Sequence, residues 1–124
     1  MKQAELEVKK SKFLSFIYNI DDESQAIKIV DNIKKEHKKA THVCYAYRLV
    51  DKSEVVKFND DNEPSGSAGR PILAVIEKSG LKNVLIVVVR YFGGIKLGVG
   101  GLFRAYTKCA SLVCELKKNE SLSN

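Results

Sequence analysis

NVLIVVVRYFGGIKLGVGGLFRAYTKCA, residues 83–110, runs from an unbroken aliphatic stretch through five of the chain's eight glycines into a segment of helical periodicity. The run NVLIVVV (83–89) has the pattern of a strand covered on both sides or central in its sheet. Beyond the glycines, Leu102, Tyr106, Cys109, Val113 and Leu116 form one stripe, and Arg104, Lys108, Ser111, Glu115 and Lys118 the opposite one. The segment therefore reads as core strand, glycine corner and docked amphipathic helix.

On its N-terminal side, KFLSFIYNI (12–20) alternates Leu14, Phe16, Tyr18 and Ile20 against Ser15 and Asn19, a strand with one buried face. Asp22 with Gln25 resembles a capping box, and Ala26, Ile29, Val30, Ile33 and His37 recur at helical spacing, so a helix is expected over 23–39. THVCYAYRLV (41–50) sets Val43, Tyr45, Tyr47 and Leu49 against His42, Cys44, Ala46 and Arg48 as a second strand. EVVKFN (54–59) pairs with it through a turn at Asp51–Ser53. DDNEPSGSAGRP (60–71) is a loop, Pro71 opens a short helix through Ile76, and Gly80 caps it. KKNESLSN (117–124) reads as a polar tail. The order β-α-β-β-α-β-α predicts an α+β, two-layer sandwich, a mixed sheet with helices on one face and the other face partly exposed.

Composition bounds the rest. The 124 residues are expected to form a single domain over 1–124, and 44% hydrophobic with 29% charged residues is ordinary for a packed globular chain. Residues 1–12 are polar and lysine-rich, unlike a signal peptide, and no apolar stretch approaches membrane-spanning length. Three cysteines without a CxxC pair fit a reducing compartment, so a cytoplasmic location without membrane attachment is expected, the thiols serving as small buried hydrophobes. A net charge of +6 permits an anionic partner without requiring one. The arginines are more informative: Arg70, Arg90 and Arg104 all sit in or beside glycine-containing turns, where a guanidinium fork suits phosphate or carboxylate.

Gly93, Gly94, Gly98, Gly100 and Gly101 allow either close backbone packing or an anion cradle at the start of a helix. The chain has neither GxxxxGK[ST] nor GxGxxG spacing, so no nucleotide cofactor is implied. Arg90 must reach solvent or pair with Asp60, Asp61 or Glu63, while Arg104 lies on the polar face of its helix. Those carboxylates lack the alternation of a Ca²⁺ loop, and no metal is expected. Ser65 and Ser67 with His42 do not form the GxSxG elbow, and His42 with Cys44 share a strand face without a group that would activate the thiol, so no catalytic residue is assigned.

With DDNEPSGSAGRPIL, VLIVVVRYFGGIKLGVGGLFRAYTKCA and KF…ATHVCYAYR in view, the chain from Lys12 to Glu115 resembles the N-terminal domain of the IMPACT family, in its bacterial YigZ-type branch. The family pattern usually reads DDGEPSGTAG, so Asn62 stands for a glycine and Ser67 for a threonine, both mild departures. The resemblance implies a fold like the second domain of ribosomal protein S5. Bacterial members commonly carry a further ferredoxin-like domain, for which this sequence has no counterpart. A eukaryotic relative regulates translation initiation by competing for a ribosome-associated activator of a stress kinase.

Together these readings favour a non-catalytic binding or regulatory module associated with translation, contacting RNA or a ribosome-associated protein without DNA sequence specificity. The expected contacts are Arg70, Arg90, Lys96 and Arg104, together with Gly93, Gly94, Gly98, Gly100 and Gly101, and Tyr91 and Phe92 as stacking or packing groups. The alternative is a small enzyme or a small-molecule or phosphate binder in which Glu63, Ser65 and Ser67 converge with Arg90 in one concave site.

Overall fold

A computed structural model describes residues 1–122 of the chain. Its elements are β1 (Lys2–Val8), β2 (Ser11–Asn19), α1 (Glu23–Glu36), β3 (His42–Val50), β4 (Glu54–Asn59), α2 (Gly69–Ser79), β5 (Val84–Tyr91) and α3 (Gly98–Leu122). The five strands form one sheet in the order β1-β2-β5-β3-β4. The α+β class expected from the sequence holds, and the aliphatic run is indeed the central strand. Val84 through Val89 are completely buried, each worth roughly 1.5–3 kcal/mol on removal from water.

Four details differ from the sequence reading. The first is an extra strand, because Ala4, Leu6 and Val8 alternate with Gln3, Glu5 and Glu7 and lay their apolar face against the core beneath α3. A short apolar face on a charged edge strand is easily mistaken for a polar leader. The second is pairing: every strand contact is antiparallel, so the sheet is not mixed in direction.

The third is layering. Phe13, Ile17, Cys44, Ala46 and Val88 pack with α2 and α3, whereas Leu14, Phe16, Val43, Tyr47 and Val87 pack with Ala26, Val30 and Ile33 of α1. Helices therefore cover both faces. This is why β5 is aliphatic at every position and why β2 buries even Ser15, whose hydroxyl donates to the Cys109 carbonyl at 2.8 Å. The fourth is helix length. α2 begins before Pro71 and α3 begins within the glycine cluster, continuing through most of the expected tail. Leu116 is exposed rather than part of the apolar stripe, and the end of the tail, 123–124, lies outside the described residues.

Local signals otherwise act as expected. Asp22 accepts from the Gln25 amide at 2.8 Å and Gln25 Oε1 accepts from the Asp21 amide at 2.7 Å, capping α1. Gly80 closes α2 in the left-handed region.

Candidate functional site at the glycine-rich corner

Register puts one residue at the centre of the site. Arg90 on β5 pairs with Phe13 of β2 on one side and His42 of β3 on the other, all facing the α2 and α3 layer. A charge there must be met from above, and the loop after β4 supplies it. Arg90 Nη1 donates to both oxygens of Glu63 at 3.0 and 2.9 Å, with the two residues only 5% and 6% exposed. Arg90 Nη2 donates to the Ser11 hydroxyl at 3.3 Å, and the guanidinium lies over the rings of Phe13 and Phe92.

Glu63 is enclosed from every side. The Tyr106 hydroxyl donates to Oε2, and His42 Nε2 lies 3.3 Å from Oε1 while its Nδ1 meets the Asp61 carbonyl at 2.7 Å. The Asp61 carbonyl can only accept, so the Nδ1 nitrogen carries the proton. The Cys44 thiol faces the Asp60 carbonyl at 3.1 Å and the Tyr106 oxygen at 3.5 Å. Burial first, then the neighbouring carboxylates, push the Cys44 thiol well above its ordinary range. Burial likewise raises Tyr106, and the adjoining thiol and carboxylate raise it further, so both groups stay protonated as donors.

The loop that delivers Glu63 is fixed by a second carboxylate. Asp60 Oδ1 accepts from the amides of Ala68 and Gly69 at 3.1 and 2.8 Å, and Oδ2 accepts from Gly66 at 2.9 Å. That places a negative charge on the N-terminus of α2, where the helix dipole favours it. Asp61 accepts from the Val43 amide at 2.6 Å, and Asn62 adopts φ +68°, the left-handed position to which asparagine is tolerant.

Across the corner, Gly93 sits on the β1–β2 turn so closely that a Cβ would fall 1.9 Å from the Lys10 carbonyl oxygen. Its amide donates to the same Ser11 hydroxyl that receives Arg90. The glycine-rich loop and the DDNEPSGSAG loop are thus joined through one buried network.

This geometry redistributes the residues expected from sequence. Arg90, Glu63 and Ser67 are interior: Arg90 Nη1 pairs with Glu63 while its buried Nε has no hydrogen-bond partner among the described residues, and the Ser67 hydroxyl donates to the Pro64 carbonyl at 2.6 Å. Of the options open to Arg90 the structure has the pair with Glu63, and Glu63 and Ser67 are buried in their own hydrogen bonds. Ser65 is exposed whereas Glu63, Ser67 and Arg90 are buried, so the four do not face one concave pocket. Tyr91 turns to the other sheet face, its hydroxyl 2.6 Å from His37 Nδ1.

The five glycines likewise divide. Gly93 is corrected from a ligand contact to a packing position, half-buried against the β1–β2 turn. Gly94 is exposed at φ +92° with open space where a Cβ would stand, so glycine is required there by the left-handed turn of the chain out of β5 rather than by a neighbouring backbone. Gly98 opens α3 at φ +73° and Gly100 lies beside the Arg104 guanidinium, both exposed, while Gly101 is half-buried against Leu97. The five glycines therefore sit in separate backbone settings.

What remains outside is a shell. Phe92, Ile95, Val99 and Phe103 are 43–59% exposed, beside Lys96 and Arg104, which are exposed too, with Gly94, Gly98 and Gly100 between them. Arg70 is exposed on α2, its guanidinium 5.3 Å from the Phe58 ring centre. Sequence reasoning missed Ser11 and Tyr106 in the network. The signal for Tyr106 was a hydroxyl in an apolar helical stripe, which demands a buried acceptor.

Among the described residues no group of histidines, cysteines and carboxylates could hold a metal ion, and no helix is long and apolar enough to cross a membrane. Comparison with known proteins is consistent along the chain. Residues 9–114 match the Impact N-terminal domain model. The IMPACT family member YvyE of Bacillus subtilis is 48% identical over 107 residues, covering 86% of this chain and 49% of its own. YigZ of Escherichia coli is 43% identical over 102 residues, covering 81% and 50%. The chain thus spans about half the length of these curated relatives.

A crystal structure of a hypothetical protein superposes with a TM-score of 0.87 at 38% identity, over 92% of this chain and 56% of the other. The two-domain translational regulator Yih1 superposes with a TM-score of 0.60 at 26% identity, over 88% and 43%. With the loop and corner motifs folded into one network and the domain model matched over nearly the whole chain, this protein belongs to the IMPACT family.

Proposed function

We propose that the chain is a non-catalytic binding module associated with translational regulation, acting in the cytoplasm on RNA or a ribosome-associated protein through the outer shell of the glycine-rich corner. The likeness to Yih1, described as a translational regulator, supports the setting. The observation that carries the binding reading is the concentration of exposed Phe92, Ile95, Val99 and Phe103 beside Lys96 and Arg104 on one short segment. Contiguous apolar side chains rimmed by polar ones mark contact surfaces.

Against catalysis stands the state of the polar groups. The Cys44 thiol is held protonated, Ser67 is bonded to its own loop, and Glu63 is locked by Arg90, so none of these three is a nucleophile beside a free base. The test is co-sedimentation of the purified protein with ribosomes, comparing wild type with the Phe92→Ala/Phe103→Ala variant. Loss of association in a folded variant is the expected result. Undiminished association with both rings removed, or none in the wild type, overturns the reading.

A further inference from the structure

Between β1 and the beginning of α3 lies a cleft of about 190 Å³ with an apolar floor of Leu6, Val8 and Leu97 under a rim of Lys9, Arg104 and Lys108. No carboxylate lines it. On the two flanking elements, Glu5 of β1 pairs with Lys12 at 3.0 Å and Glu120 of α3 with Lys2 at 3.3 Å. Among the described residues the three rim cations have no ion-pair partner.

Three electrostatic features of this cleft oppose folding. Arg104 and Lys108 stand one helical turn apart, where like charges repel. The Arg104 guanidinium reaches back beside Gly100, so that a Cβ there would lie 3.3 Å from Nη1. That sets a cation over the first turn of α3, the positive end of the helix dipole. An apolar floor also weakens the screening that would otherwise relieve these charges. One anionic ligand relieves all three at once.

We infer that this cleft binds the sugar–phosphate backbone of RNA, Arg104 and Lys108 meeting successive phosphates, Lys9 a third, and the apolar floor receiving the ribose between them. The guanidinium fork favours phosphate oxygens, and a cleft lined by three cations together with Leu6, Val8 and Leu97 fits a repeating anion whose sugars present C–H faces between the charges. The inference rests on the reading of the chain as a binding module and names RNA as its partner.

The test is fluorescence anisotropy of a short labelled oligouridylate at about 50 and about 200 mM salt. Lys9→Gln, Arg104→Gln and Lys108→Gln would be compared with Lys35→Gln, an exposed cation on α1 across the sheet. Each rim variant should weaken binding roughly tenfold and lower the slope of log K against log salt by about 0.7 to 1, with the α1 control within about twofold of wild type. Equal losses in the control, no binding by the wild type at low salt, or tighter binding of polyglutamate than of RNA overturns the cleft.

Ribosome co-sedimentation of the same variants separates the two claims. Association that needs Phe92 and Phe103 but tolerates the rim substitutions leaves the module reading standing and removes the cleft. RNA binding that needs the rim, in a protein that does not associate with ribosomes, does the reverse.

Discussion

Arg90 and Arg104 belong to the same glycine-rich signature, fourteen residues apart (104 − 90), yet one is interior and the other exposed. Arg90 ends the central strand, so the sheet carries it into the core and Glu63 must come down to meet it. Arg104 is on the first turns of a helix whose apolar stripe faces the other way, so solvent keeps it. Identical chemistry thus serves cohesion in one place and is free for recognition in the other. Position on an element, rather than residue type or motif membership, decides which.

The most direct challenge to this contrast is to remove the interior charge. Arg90→Met leaves Glu63 buried without its cation, and the expected loss is about 3–5 kcal/mol in chemical denaturation. A double variant with Glu63→Gln should recover a substantial part of it, since the buried negative charge goes with the positive one. A loss under about 1 kcal/mol for Arg90→Met alone would mean that solvent reaches the pair and that the interior and shell are not distinct.

Next in size is Gly93→Ala. The added methyl would fall 1.9 Å from the Lys10 carbonyl oxygen, and the nearest atoms in its way are backbone, so the β1–β2 turn has to move as a unit. About 2 kcal/mol of destabilisation is expected from urea midpoints. The same turn anchors Ser11, which receives Arg90 Nη2 and the Gly93 amide, so the damage should also disturb the Glu63 network. An unchanged midpoint would show the glycine corner to be loosely seated.

The difference between these two regions also explains what could be read in advance. Elements whose signals are local were legible: the capping box at Asp22, the alternation of β3, the aliphatic β5 and the glycine cap of α2. The Arg90–Glu63 pair was one of three options, and only the fold of the loop chose among them. Adjacent Gly93 and Gly94 look alike in sequence, yet one is required by a neighbouring turn and the other by its own φ, a distinction that exists only once β1 is in place. Asp60 capping α2 was not legible, because the carboxylate acts across nine residues and the helix has no side-chain cap of its own. The second helical layer was missed although the uniform burial of β5 implied it, since the Ser15 and Asn19 positions suggested a wet face on β2.

Arg104 provides the smallest and most telling measurement. Its guanidinium is exposed, makes no ion pair among the described residues and lies near the positive end of α3. Removing it should therefore cost the fold nothing. Arg104→Gln is expected to leave the thermal midpoint unchanged or raise it slightly, consistent with a gain of about 0.3–1 kcal/mol at most from relieving the helix dipole. A surface cation that is neutral or unfavourable to its own fold, while its motif neighbour Arg90 is indispensable to it, is what a contact group requires. Measurable destabilisation by Arg104→Gln would place this arginine in the architecture with Arg90 and erase the contrast between them.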